Sequence, residues 1–152
     1  MDIKYISIKE ALDIHERTIF YSGGGTTGQL DIGKLESVLE HIQNDLYYPT
    51  FEEKLTHLFY CVCQFHCFQD GNKRLAITLS AHFLIINGYM YVGGIFFKEM
   101  ENISYHVANG NIKKELLYKI IVAFLNGTYN TDESLKLEIV NAMQNNLIDN
   151  SL

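Results

Sequence analysis

The chain has 152 residues, 47% of them hydrophobic, one proline and a net charge of −6. That length accommodates one domain with a true core, and the balance suits an ordered, mostly helical globule. No apolar run approaches the ~20 residues of a membrane span, no basic-then-apolar leader marks the chain for secretion, and without a Lys/Arg cluster nucleic acid is not the expected partner.

Taken in chain order, the pattern is helical throughout. Ser7-Ile8-Lys9-Glu10 is a capping-box sequence that opens a helix running to about Phe20. Tyr21 to Leu30 is a glycine-rich loop. No strand precedes its three consecutive glycines and no Gly-Lys-(Ser/Thr) follows, which argues against a P-loop. Asp31 caps a second helix with Leu35, Val38, Leu39 and Ile42 on one face. Asn44 to Thr50 breaks the pattern with Tyr47-Tyr48-Pro49.

Lys54 to Phe65 lacks Gly and Pro and is mostly apolar, so it reads as a buried helix ending near His66. Leu75 to Ile86 is apolar on nearly all faces, as a central helix is, and Asn87-Gly88 stops it. Met90 to Ile95 is left open to an extended conformation. Further helices run from Phe97 to Asn109, stopped by Gly110, and from Ile112 to Asn126, stopped by Gly127. In the tail, Leu135, Ile139, Met143 and Leu147 form a stripe on one more helix, which has three candidate uses: packing on the domain, pairing with a second copy, or binding a partner.

Between the buried helix and the central one lies His66-Cys67-Phe68-Gln69-Asp70-Gly71-Asn72-Lys73-Arg74. It gathers what phosphoryl or nucleotidyl transfer needs. His66 accepts a proton near neutral pH. Asp70 offers a hard oxygen to Mg²⁺. Gly71 lets backbone approach a phosphate, and Lys73 and Arg74 supply counter-charge. Gly71 to Arg74 open the second helix, where free N–H groups and the macrodipole favour an anion.

Three cysteines, Cys61, Cys63 and Cys67, are an odd and crowded set. A disulfide framework does not fit them, and a reducing cytoplasm does. Zinc is weighed because His57 and His66 lie nearby, but Cys61 points roughly 200° away from Cys63 on a helix and no C-x₂-C pair occurs. Buried free thiols are the better reading. The residues Tyr105, His106, Tyr118, His15, His41 and His82 read as packing or surface positions.

At the His66–Arg74 run the chain resembles the Fic/Doc family, whose core motif is His-x-Phe-x-(Asp/Glu)-Gly-Asn-(Gly/Lys)-Arg. His66, Phe68, Asp70, Gly71, Asn72, Lys73 and Arg74 all match. Asp13-Ile14-His15, Gly23-Gly24-Gly25, Gly28, Asp31, Gly33-Lys34-Leu35-Glu36 and Gln43 are similar to the N-terminal third of death-on-curing proteins, so the likeness covers most of residues 5 to 127.

The resemblance implies an all-α Fic/Doc fold, a compact bundle of about six to seven helices around a central motif-bearing helix. It also implies a short β-hairpin flap at the Asn44–Thr50 break, with Leu46, Tyr47 and Tyr48 docking the target's main chain; read from the residues alone, the break fits an ordinary helix connection with buried tyrosines equally well. The catalytic domain would span 1–127, with a C-terminal helical extension, 128–152, packed on it. In roles carried over from the family, His66 is the general base and Asp70 the metal ligand. Gly71, Asn72, Lys73 and Arg74 hold the nucleotide, the last three also acting in catalysis, with ATP and Mg²⁺ as cofactors. Phe68 pins the loop and Cys67 is a spacer.

Two positions choose the branch. Lys73 stands where AMP-transferring Fic proteins usually carry Gly, and Ile77 where they carry a second Arg for the γ-phosphate. That pairing resembles the Doc branch, which implies transfer of the γ-phosphate to a target hydroxyl, a target in the translation machinery, and a small antitoxin partner in a bacterial or phage module. A Fic-type AMP transferase is the alternative, kept open by Gly71, where Doc commonly has Ala. A non-catalytic interaction domain of the same fold is the second. Ser134 and Glu138 match part of the Fic inhibitory helix, but Ile139 departs from it, and the Arg that such a Glu meets is missing.

Overall fold

The computed structural model describes residues 2–21, 31–65 and 71–150, with side chains left undescribed at 71, 72, 91, 93 and 145–150. Seven helices follow one another along the described residues: α1 (Ile8–Tyr21), α2 (Ile32–His41), α3 (Phe51–Cys63), α4 (Gly71–Ile86), α5 (Met90–Ala108), α6 (Lys114–Asn126) and α7 (Glu133–Asn150).

Local chemistry sets most of their ends. Ser7 Oγ accepts the Glu10 N–H at 3.1 Å and Asp31 Oδ1 the Lys34 N–H at 3.1 Å, the two caps expected from sequence. Thr50 Oγ1 does the same for Glu53 at 3.2 Å and Asp132 Oδ1 for Leu135 at 2.9 Å. Thr50 therefore starts α3 at Phe51, a turn earlier than the apolar pattern suggested. Gly88 closes α4 in the left-handed region, at φ +93°. Its N–H reaches Ile85 O at 3.1 Å and the Tyr89 N–H reaches Leu84 O at 2.9 Å, a Schellman ending. Gly110 and Gly127 end α5 and α6 in the same way.

Two helices form the centre. On α4, Leu75, Ala76, Leu79, Phe83 and Leu84 are fully buried, and the helix packs on α5, α3 and α1. On α3, Leu55, Leu58, Phe59 and Val62 are fully buried, and the helix also meets α6 and α2. Phe96 of α5 joins α3 to α6, edge-on to Phe59 at 6.0 Å and to Phe124 at 6.1 Å. Each such side chain withdrawn from water stabilises the fold by about 1.5–3 kcal/mol, so the α3–α4 pair is a rigid mount for whatever lies between them. α7 packs on α6 through the stripe: Leu135 and Ile139 are buried and Met143 partly so, while Leu147 falls outside the described side chains. Glu138 pairs with Lys119 of α6 at 3.1 Å. No described helix is long and apolar enough to cross a membrane.

Two expectations fail. The all-α bundle is present, but no strand occurs among the described residues, and 44–50 is a chain of turns rather than a β-hairpin. Several of its polar groups are paired locally. Asn44 Oδ1 accepts the Leu46 N–H at 2.9 Å and Asn44 O the Tyr48 N–H at 2.9 Å. Pro49 has no N–H to give. Lys54, wholly buried on α3, donates to Ile42 O at 2.7 Å and to Asp45 at 2.8 Å. Local turn hydrogen bonds, not a strand ladder, hold this connection. Nor is Met90 to Ile95 extended: it is the first turn and a half of α5, because Val92 and Phe96 are drawn into the core and Tyr89 stacks on Phe51 at 5.1 Å. Tertiary packing overrides local preference there.

Candidate functional site

The sequence placed the chemistry between α3 and α4, and both flanks of that connection are fixed. After α3, Gln64 donates from Nε2 to Val107 O of α5 at 2.8 Å, and Phe65 is buried. After the connection, α4 begins at Gly71. His66, Cys67, Phe68, Gln69 and Asp70 lie outside the described residues, as do the Gly-rich positions 22–30 and the side chain of Asn72.

Lys73 and Arg74 are described, on the first turn of α4. The Lys73 ammonium sits 5.1 Å from the centre of the Tyr105 ring on α5, a cation–π contact that aims the side chain across the α4–α5 groove. Lys73 also acts on the thiol of Cys63 behind it: burial pushes that thiol far up, and the Lys73 charge opposes the rise. Arg74 is exposed and lines two adjoining cavities. One, about 450 Å³, is polar and is bounded by Lys73, Arg74, Ile77, Lys98, Glu101, Asn102, Ser104 and Tyr105. The other, about 410 Å³, is mostly apolar and is bounded by Ile14, Arg17, Thr18, Tyr21, Arg74, Ile77, Thr78, Phe97 and Glu101.

Arg74, Ile77 and Glu101 belong to both cavities, so together they form one cleft over the start of α4. In a chain of net charge −6, the cleft holds Lys73, Arg74 and Lys98, with Arg17 already paired to Asp13 at 3.0 Å, against the carboxylate of Glu101. Concentrated positive charge in a concave wall draws anions. The polar end suits phosphates. The apolar end, with Tyr21 and Phe97, suits a flat aromatic group. No three His, Cys, Asp or Glu side chains gather into a metal site among the described residues.

Sequence reasoning named Lys73 and Arg74 but missed Arg17, Lys98 and Tyr105. A signal existed for two of them: positions 98, 101, 102 and 105 recur at helical spacing and share one face. Reading the helix only from Phe97 onward hid how that face is turned.

The other predicted site segment is split. Leu46 and Tyr47 are 92% and 76% exposed, standing free on the turn. Tyr48 turns inward, stacking on His57 of α3 at 4.3 Å, with its Oη 3.2 Å from His57 Nε2. Lys114 of α6 lies 2.9 Å from His57 Nδ1. An ammonium can only donate, so Nδ1 accepts and Nε2–H donates to Tyr48. Beside this chain is a third cavity of about 530 Å³, lined by Tyr47, Tyr48, Lys114 and Tyr118 among others.

Burial, then the Lys114 charge, then His41, hold the His57 pKa down to about 4. The folded state therefore binds this proton less readily than the unfolded chain. Stability linked to His57 is complete above pH ~6.5 and is lost as pH falls toward 4. Urea denaturation at pH 7 and pH 5 should show a drop of about 1 kcal/mol, after allowance for solvent screening, that is missing in His57→Gln. An equal drop in the variant would refute the assignment.

The profile of the Fic/DOC family matches residues 5–84. That stretch takes in α1 to α3, the whole His66–Arg74 run and nearly all of α4. The chain belongs to the Fic/DOC family. Similarity also extends to a named relative, "Protein kinase doc" of Escherichia phage P1, at 31% identity over 90 residues, covering 57% of this chain and 70% of the relative. Fic/DOC membership and likeness to a Doc protein together support a Doc-like enzymatic role in general.

Proposed function

We propose that this Fic/DOC protein transfers the γ-phosphate of ATP to a hydroxyl side chain of a target protein. The cleft over the start of α4 carries the reading: a cation-rich end for the phosphates continues into an apolar end for the base, and the motif's Lys73 and Arg74 stand at the first. The phage relative's description as a protein kinase and the apolar Ile77 favour phosphate over AMP. In the proposed step His66 takes the proton from the target hydroxyl. The hydroxyl oxygen bonds to the γ-phosphorus as the bond to the bridging oxygen breaks, and ADP leaves. Lys73 and Arg74 stabilise charge on the transferred group, with Gly71 and Asn72 as further anion-holding positions. Asp70 is a carboxylate of the kind that holds Mg²⁺ together with substrate phosphates, where the ion would neutralise phosphate charge.

Exposed Leu46 and Tyr47 would meet the target, which we place in the translation machinery. A small antitoxin is the proposed regulatory partner.

The test is incubation with ATP labelled separately at the α- and γ-phosphates, in a lysate stripped of small molecules. Label from the γ-position on a protein is the expected result. α-Label would replace kinase by AMP transferase, the reading that Gly71 favours. No transfer from either position across lysate fractions would overturn both in favour of a binding domain.

A further inference from the structure

Ile77, one helical turn beyond Lys73, is 6% exposed and forms part of the wall shared by both halves of the cleft. Lys73 and Arg74 are thus the cations α4 brings to the cleft, and the wall beyond them on that helix is hydrocarbon.

The opposite wall supplies a third. Lys98 of α5 lines the same 450 Å³ cavity as Lys73, Arg74 and Ile77. Its helical neighbours at positions 101, 102 and 105 line that cavity too, so this face of α5 is turned to α4 as a unit. Lys98 is exposed and makes no ion pair among the described residues, so its ammonium is not committed elsewhere. Tyr105, two turns along, engages Lys73 instead. The two lysines therefore stand at separate places along the groove.

We propose that Lys98 is a phosphate-binding residue that brings a cation from α5 to the cavity wall opposite Lys73 and Arg74. The inference rests on the reading of the cleft as an ATP site. A lysine acts as a flexible point charge rather than a rigid fork, so it would hold the phosphate chain without fixing one oxygen, and an arginine of similar reach would serve in its place.

Calorimetric binding of ATP and of adenosine to the full chain tests this. Lys98→Met should weaken ATP binding about 5–20-fold and leave adenosine binding unchanged, while Lys98→Arg restores ATP affinity. Circular dichroism of each variant guards against misfolding, which an exposed position makes avoidable. Equal ATP affinity in wild type and Lys98→Met overturns the role of Lys98 and leaves the ATP reading standing. Parallel weakening of adenosine overturns it too, since the effect would then not concern phosphate. Failure of the wild type to bind ATP at all overturns the nucleotide reading itself.

Discussion

Replacing His66 with alanine should lower the rate of transfer by about 10²–10⁴-fold, the range general bases contribute. The fold should survive, because the helices on either side are anchored without it: α3 by its buried Leu58, Phe59 and Val62, and α4 by Leu75, Leu79 and Phe83. ATP affinity should also survive, since the cations that line the cleft belong to α1, α4 and α5. The informative comparison is therefore single-turnover rate against ATP Kd in the same variant. A rate equal to wild type removes His66 from the chemistry. A loss of rate matched by a loss of ATP binding would make His66 a binding residue and leave the base unassigned.

What sequence reveals about this fold divides by distance along the chain. The Ser7 and Asp31 caps and the Gly88, Gly110 and Gly127 endings were legible because each is settled by atoms within a few residues. The Asn44–Thr50 connection was not. Its conformation is held by Lys54, whose ammonium reaches back from α3 to Ile42 O and Asp45. Nothing in the local run of Leu46-Tyr47-Tyr48-Pro49 announces that contact, and family likeness supplied a hairpin that the turns replace. The start of α5 was obscured for a related reason, since Val92 and Phe96 become helical by being buried.

The candidate site divides the same way. Lys73 and Arg74 were visible because the motif is contiguous and their place at a helix start follows from Gly71 and the apolar run after them. The remainder of the cleft is assembled across the fold. Arg17 arrives from α1, and Lys98 and Tyr105 from α5. Helical spacing groups Lys98 with Tyr105, but their partners on α4 are dozens of residues away, so no spacing rule joins that face to the motif. Tyr105 shows the cost: as a lone aromatic on a helix it reads as packing, yet its ring carries the motif's Lys73.

Arg74→Ala should be the most damaging change among the described residues. Arg74 borders both halves of the cleft, so it is the one cation placed to meet the transferred phosphate and the remainder of the nucleotide together. Electrostatic stabilisation of developing charge is usually the largest catalytic term, and removal of one such donor costs about 10²–10³ in kcat. Unlike Lys98→Met, whose effect is expected in binding alone, Arg74→Ala should lower kcat as well as ATP affinity. Lys34→Ala, which removes an exposed cation from α2 and so changes net charge equally, controls for the overall field. Arg74→Lys sharpens the distinction further. A lysine keeps the charge but loses the planar fork, so recovery of ATP affinity without recovery of kcat is the expected pattern. Recovery of both would reduce Arg74 to a simple counter-charge, and a kcat within about two-fold of wild type in Arg74→Ala, far short of the loss expected for such a donor, would separate the cleft from the reaction altogether.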